Sequence, residues 1–256
     1  MKVNTVVKPS FLFLKTILRR GARALVGVSL LVSHGVAIAN VLESPASTPV
    51  PAPKPTPVVF KTGPFAKPFW EGKPKLEAKL RDERAVLVSV RTDRGEVDKE
   101  ADLFSINGVG WVKRSDRTIF ELAKRFDRLK EISSHFREVN FDPKTNRVFV
   151  ICEALGYQAR MLIAVDPQEA RVPGMDPLIR FKVIDGHFVG LEGVMVFHPL
   201  GAKVSGAEIT EVSLRVRHEA REIPIPRILV GFALEVLVQK VAQSLRTYFE
   251  NTPLTP

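Results

Sequence analysis

The chain has 256 residues and a net charge of +10 at pH 7. This length suits one domain of ordinary size with appendages, or two small domains. Much of the charge is concentrated at the N-terminus, where residues 1–39 contain six basic residues and no acidic residue. The remainder carries 32 basic and 28 acidic residues, which are interleaved along the sequence. No stretch forms a basic stripe that could follow a phosphate backbone, so the composition argues against a nucleic acid partner.

Residues 1–39 have the organisation of a signal peptide. A basic region ends at Arg23, the apolar stretch 24–39 follows, and that stretch closes on the A-x-A cleavage pattern Ala37-Ile38-Ala39. The apolar stretch is shorter than the roughly 20 residues that span a bilayer. We therefore predict an exported, periplasmic protein. The alternative is that the N-terminal segment stays uncleaved and anchors the protein to the membrane.

Residues 40–75 are predicted to form a proline-rich linker. Nine prolines occur between Ser44 and Lys75, and the run TPVPAPKPTP favours an extended, solvated chain. The later part of this segment also contains large aromatic residues, which are unusual in a freely solvated linker. We expect these aromatic side chains to pack on the folded domain. They are Phe60, Phe65, Phe69 and Trp70.

The first half of the remaining chain combines strand and helix patterns. Two strands are predicted at 84–92 and 101–115, and glycines 108 and 110 within the second strand suggest a bend or a bulge. Apolar residues then recur at three- and four-residue spacings in TIFELAKRFDRLKEISSHF. This pattern predicts two short helices, broken near Asp127, with Ser115 or Asp116 as the N-cap.

The second half is rich in strand patterns separated by short turns. They lie at 136–141, 147–154, 157–166, 178–185, 189–200 and 207–220. Short connections between successive strands predict an antiparallel meander. In the last strand Val212, Leu214 and Val216 alternate with polar residues, which predicts one buried face and one solvated face. Residues 223–251 then predict one long helix, whose first half is apolar on nearly every side.

This order of elements resembles the helix-grip fold of the START-like, or SRPBCC, superfamily, which includes polyketide cyclase/dehydrase and lipid-transport proteins. The resemblance covers about residues 101–250. It rests on the helical segment SDRTIFELAKRFDRL, on the strand pair GLEGVMVFHPLG and AEITEVSLRVRHE, and on the terminal helix. Asp116 departs from the family pattern, because many members have proline at that place.

The resemblance implies an α+β domain over residues 76–256. In it a curved antiparallel sheet wraps around a long C-terminal helix, and two short helices follow the first strand. It also implies an internal cavity between sheet and helix for a lipid or another apolar small molecule. Strand alternation and helix position give the residues that we expect to line it. They are Val150, Tyr157, Ala159, Met161, Phe181, Val183, His198, Leu214, Phe232 and Val236. The same residues could instead pack into a solid core.

No catalytic or metal-binding motif is recognisable in the sequence. The histidines outside residues 1–39 lack the spacing of a metal site, and GxSxG, HExxH and glycine-rich phosphate loops are missing. The single cysteine, Cys152, lies in an apolar strand and is predicted to be a small buried hydrophobic residue rather than a reactive thiol. We therefore predict no cofactor and no metal.

The favoured hypothesis is an exported protein that binds an apolar ligand. One alternative is an enzyme of the cyclase or hydratase type that uses polar pocket residues as general acid and base. In that case His198 or Tyr157 should lie within hydrogen-bond reach of a second polar group in the cavity. The other alternative is a protein-interaction domain whose cavity has closed.

Overall fold

The computed structural model describes residues 57–64, 68–96, 98–154, 156–172, 174–204, 206–220 and 227–254. Side chains are described throughout these ranges except at residues 154, 157, 203, 204 and 227–234. The predicted signal peptide, the first part of the predicted linker and Phe65 lie outside them. Within these ranges every helix is too short or too polar to cross a bilayer.

Eight antiparallel strands form one sheet in the order β1-β2-β8-β7-β6-β5-β4-β3. They are β1 (Leu87–Arg94), β2 (Asp102–Val112), β3 (Phe136–Asp142), β4 (Arg147–Ala154), β5 (Tyr157–Gln168), β6 (Leu178–Gly186), β7 (Glu192–Val204) and β8 (Ala207–Ala220). Strands β3 to β8 form the predicted meander, and β8 returns to pair with β2. Strand β1 adds one further strand beside β2, so the short helices follow the second strand of the chain.

Short helical segments precede the last helix in the described part of the chain. Helix α1 (Pro74–Arg81) precedes β1, and helix α2 (Asp116–Ala123) follows β2. The Oγ of Ser115 caps α2 by accepting a hydrogen bond from the backbone N–H of Thr118 at 3.3 Å. A 3₁₀ turn (Phe126–Arg128) leads into helix α3 (Leu129–Ile132), which confirms the predicted break near Asp127.

Helix α4 (Arg227–Asn251) lies against the sheet and contacts β1 and β2. Two hydrogen bonds connect the C-terminal end of α4 to the segment that follows β2. Arg114 Nη1 donates to the carbonyl of Phe249 at 2.8 Å, and Glu250 Oε1 accepts from the Lys113 N–H at 3.0 Å. Glu250 also forms an ion pair with Arg84. The side of the sheet that packs against α4 is called the helix face here, and the opposite side the outer face.

The register of β2 with β8 is continuous through Gly108 and Gly110, and its register with β1 is continuous through Gly108 as far as Val109. Of the bend or bulge expected at these glycines, the structure therefore shows no bulge in the described pairing. Both glycines lie on the helix face and line a cavity beneath α4. They leave room between the sheet and the helix. The register shifts occur elsewhere, in β3, in β5 and in the turn between β7 and β8.

The outer face is partly covered by residues from the predicted linker. Thr62 Oγ1 donates to Glu192 Oε1 at 2.8 Å, and Lys182 Nζ donates to the Val59 carbonyl at 3.0 Å. Farther along, Trp70 is 7% exposed and packs with Val109 of β2 and Leu80 of α1. The expectation that linker aromatics pack on the domain is therefore confirmed for Trp70. Residues 57–64, which cross the outer face, are called the strap below.

Candidate functional site

The helix face of the sheet forms an apolar wall. Because directly opposed residues of antiparallel strands share a face, the register fixes which side chains belong to it. They include Val148, Val150, Cys152, Met161, Ile163, Val165, Ile179, Phe181, Val183, Met195, Phe197, Val212, Leu214 and Val216. Several side chains near the middle of this wall, among them Met161, Phe181 and Met195, are only partly buried.

An apolar cavity of about 50 Å³ lies between this wall and helix α4. Its roof is formed by one stripe of α4, and its floor by β2, β7 and β8. The lining residues include Gly108, Gly110, Met195, Val212, Leu214, Val238, Ala242, Leu245 and Phe249. A methyl group added at Gly108 would lie 3.7 Å from Leu214 Cβ, an ordinary contact distance. The cavity therefore exists in part because glycine at this position supplies no side chain to fill it.

Most of the predicted lining residues on the strands lie on the helix face. Val150 and Val183 are each 1% exposed and belong to the packed wall. Ala159 and Met161 lie opposite Cys152 and Val150, and Phe181 lies opposite Gly193. Leu214 is the predicted residue that lines the cavity itself. The side chains of Tyr157 and Phe232 lie outside the described part of the chain.

The prediction for Val236 is wrong. This residue is 37% exposed, whereas Val238, Ala242, Leu245 and Phe249 form the stripe that faces the sheet. Two residues correspond to about 200° of rotation around a helix, so Val236 points away when Val238 points inward. The four residues of the true stripe are spaced by three and four. That spacing could have been found by working backwards from Phe249.

The prediction for His198 is also wrong. It lies opposite Glu211 on the outer face, and its side chain is 55% exposed. Its Nδ1 lies 2.9 Å from Asp176 Oδ2, so it does reach a second polar group, but the sheet separates this pair from the cavity. Glu211 in turn accepts a hydrogen bond from Trp111 Nε1 at 3.1 Å, and burial raises the pKa of Glu211.

A buried histidine that sequence reasoning did not single out lies on the helix face. His218 is 8% exposed and lies opposite Phe104 of β2. Its ring makes an edge-to-face contact with Phe188, with ring centroids 5.9 Å apart. Within the part of the chain that the structure describes, its buried Nδ1 has no hydrogen-bond partner. Burial lowers the pKa of His218 and so favours the neutral imidazole.

In the described ranges, no group of three or more His, Cys, Asp or Glu side chains lies close enough together to bind a metal ion.

Cys152 is partly buried on the helix face, and burial raises the pKa of its thiol to about 11. The thiolate is the reactive form, so this cysteine is chemically quiet at neutral pH. Its surroundings agree with the role of a small hydrophobic residue.

The strand order and the position of α4 match the predicted helix-grip arrangement, in which a long C-terminal helix lies against an antiparallel sheet. No family model matches the chain, and no curated protein matches it. Similar solved structures include a START superfamily protein from Mycobacterium smegmatis, with 16% identity and a TM-score of 0.43 over 57% of this chain and 96% of that one. A STAR-related lipid transfer protein from Xanthomonas axonopodis has 8% identity and a TM-score of 0.46, and the match covers 63% of this chain and 98% of that chain. A conserved protein from Geobacillus kaustophilus has 10% identity and a TM-score of 0.42, and the match covers 57% of this chain and 94% of that chain.

Proposed function

We propose that this domain binds a lipid or another apolar small molecule between the helix face of the sheet and helix α4. The observation that carries the proposal is the apolar cavity over Gly108 and Gly110. A ligand pocket is typically an apolar concavity with few polar groups, and the wall described above has this character. The partly buried Met161 and Phe181 continue the apolar wall beyond the cavity.

Binding at this site would be driven by removal of apolar surface from water. Each Å² of apolar surface that is buried contributes about 25 cal/mol, before the cost of ordering the ligand and the side chains. The cavity of about 50 Å³ accommodates only a small part of a lipid. The ligand must therefore also lie along the apolar wall, where Phe181 and Met161 are only partly buried.

We further propose that the protein acts after export. The basic region that ends at Arg23 and the A-x-A pattern at 37–39 support this part of the proposal. Determination of the N-terminus of the protein recovered from the envelope fraction tests it. A mature N-terminus at Asn40 is expected, and an intact Met1 would instead favour the membrane-anchored alternative.

Binding is tested with the full chain and the fluorescent apolar probe N-phenyl-naphthylamine. We expect saturable binding that Gly108→Val weakens about tenfold or more, because its two methyl groups enter the cavity. The matched control is Ser105→Val, which adds an apolar side chain to the outer face of the same strand. Equal affinity of the probe for wild type and for Gly108→Val would contradict the proposed site. Native mass spectrometry of the protein from its own envelope fraction would identify a ligand that copurifies.

A further inference from the structure

His218 occupies the same face of β8 as the cavity. Leu214, Val216 and His218 alternate along this face, and Leu214 lines the cavity. At roughly 3.3 Å per residue, His218 lies about 13 Å along the strand from Leu214. A ligand that extended from the cavity along the helix face of β8 would meet the imidazole.

The imidazole of His218 is a polar group among apolar neighbours on the helix face of β8. It is 8% exposed, and its Nδ1 is buried with no hydrogen-bond partner among the residues that the structure describes. A buried nitrogen in this state costs folding free energy, and such groups are rare in folded proteins. A ligand atom that hydrogen-bonds Nδ1 would remove that cost on binding.

The residue whose ring contacts His218 has an unusual backbone conformation. Phe188 has a φ of 61°, in the left-handed region that aromatic residues rarely adopt. This conformation lies in the turn between β6 and β7, where the Leu191 N–H donates to the Phe188 carbonyl at 2.9 Å. The turn thereby holds the Phe188 ring against the imidazole, with ring centroids 5.9 Å apart. Strained residues of this kind concentrate at binding sites.

We propose that His218 is the polar anchor of the ligand and that the ligand is an apolar molecule with a hydroxyl group at one end. The hydroxyl would hydrogen-bond Nδ1 while the apolar body lies along the wall toward Gly108. This inference rests on the proposed function of the domain. It adds the chemical class of the ligand and the direction in which the ligand lies.

The choice of a hydroxyl follows from the chemistry of the imidazole. A neutral imidazole presents either a donor or an acceptor at Nδ1, depending on its tautomer. A hydroxyl group matches both cases because it donates and accepts. A carboxylate would bring a charge into an apolar site, and a neutral imidazole has no opposite charge with which to compensate it.

The test compares dodecanol, dodecane and dodecanoate as competitors of N-phenyl-naphthylamine on the full chain. In the wild-type protein dodecanol should bind about fivefold more tightly than dodecane, which corresponds to one typical hydrogen bond. His218→Phe should reduce the affinity for dodecanol to that for dodecane. His198→Phe is the matched control, because His198 lies on the outer face, and it should preserve the preference for dodecanol.

A measurement on the wild-type protein gives an answer even if His218→Phe does not fold. The ¹⁵N chemical shift of His218 Nδ1 should move on saturation with dodecanol and stay constant with dodecane. Equal affinities of the two compounds, or an unchanged Nδ1 shift, would overturn the anchor while leaving apolar binding intact. If neither compound binds, both the anchor and the proposed function fail. Tighter binding of dodecanoate than of dodecanol would overturn the hydroxyl class.

Discussion

Thr62 and Glu192 join two distant parts of the chain, because Thr62 Oγ1 donates to Glu192 Oε1 at 2.8 Å across 130 residues of sequence. The other carboxylate oxygen of Glu192 accepts from the Lys61 N–H at 3.3 Å, and Lys182 Nζ lies 3.5 Å from it. A single carboxylate therefore ties the strap to β6 and β7. The strap belongs structurally to the folded domain, although its sequence has the composition of a linker.

The first prediction concerns acid sensitivity. Burial by itself raises the pKa of Glu192, but the hydrogen bonds from Thr62 and Lys61 and the charge of Lys182 outweigh it, so the pKa is lowered in the folded protein. Stability from this group is thus present above the ordinary Glu pKa of about 4.3 and is lost as the pH falls through the folded value. Glu192→Gln should lower the free energy of unfolding at pH 7 by about 1 kcal/mol. It should also make the free energy of unfolding fall less steeply as the pH is lowered.

Urea unfolding of wild type and Glu192→Gln at neutral and acidic pH measures this effect. The control is Glu138→Gln, on an exposed part of β3, which should leave the acid dependence unchanged. The same acid dependence in Glu192→Gln as in the wild-type protein would show that this carboxylate does not hold the strap.

The second prediction compares two glycines on the helix face. Gly108→Ala should raise the free energy of unfolding by about 0.5–1 kcal/mol, because the methyl group enters space beside Leu214 and the unfolded chain loses freedom. Gly193→Ala should be destabilising, because its methyl group would lie 2.7 Å from the Arg215 carbonyl and collide with the Phe181 ring. Thermal or urea unfolding measures both changes. Stabilisation by Gly193→Ala would mean that Phe181 does not cover this position.

The third prediction tests the rotation of α4. Ala242 lines the cavity, whereas Val236 is 37% exposed. Ala242→Asp should lower the free energy of unfolding by about 3 kcal/mol or more, because it places a carboxylate against an apolar wall. Val236→Asp should change it by less than about 0.5 kcal/mol. Equal effects of the two substitutions would restore the orientation that the sequence suggested.

The fourth prediction concerns the C-terminal end of α4. Glu250→Ala removes the carboxylate that accepts from the Lys113 N–H and pairs with Arg84. We expect a loss of about 1.5–3 kcal/mol, as for hydrogen bonds to charged groups. Glu235→Ala, at an exposed position of the same helix, controls for the helix propensity of alanine and should be nearly neutral. A neutral Glu250→Ala would show that other contacts hold this end.

The sequence predicted the strands well because short connections and alternating side chains are local properties. The strand at Ala207–Ala220, for example, has the bounds that its pattern suggested. The N-cap Ser115 and the break near Asp127 are equally local. These features depend on neighbouring residues alone, so one sequence is enough to find them.

The errors have a different physical origin. Helix α4 is apolar on nearly every side in its first half, so periodicity could not fix its rotation, and Val236 was chosen instead of Val238. His198 shares a face with Val194, which is 1% exposed although it lies on the outer face. The strap crosses that face, and Arg215, opposite Val194, donates to the carbonyl of strap residue Pro64 at 3.4 Å. Val194 is therefore buried by the strap and not by the core, so it gave the wrong face for His198.

The strap should also determine how the domain first responds to mechanical force. A pull on the chain from its N-terminal side acts first on the bonds at Val59, Lys61 and Thr62, which lie one after another along the strap. Hydrogen bonds that are loaded one at a time break at lower force than bonds that share the load. The strap should therefore detach at low force while the eight-stranded sheet stays intact. The strap would then extend under load before the sheet yields.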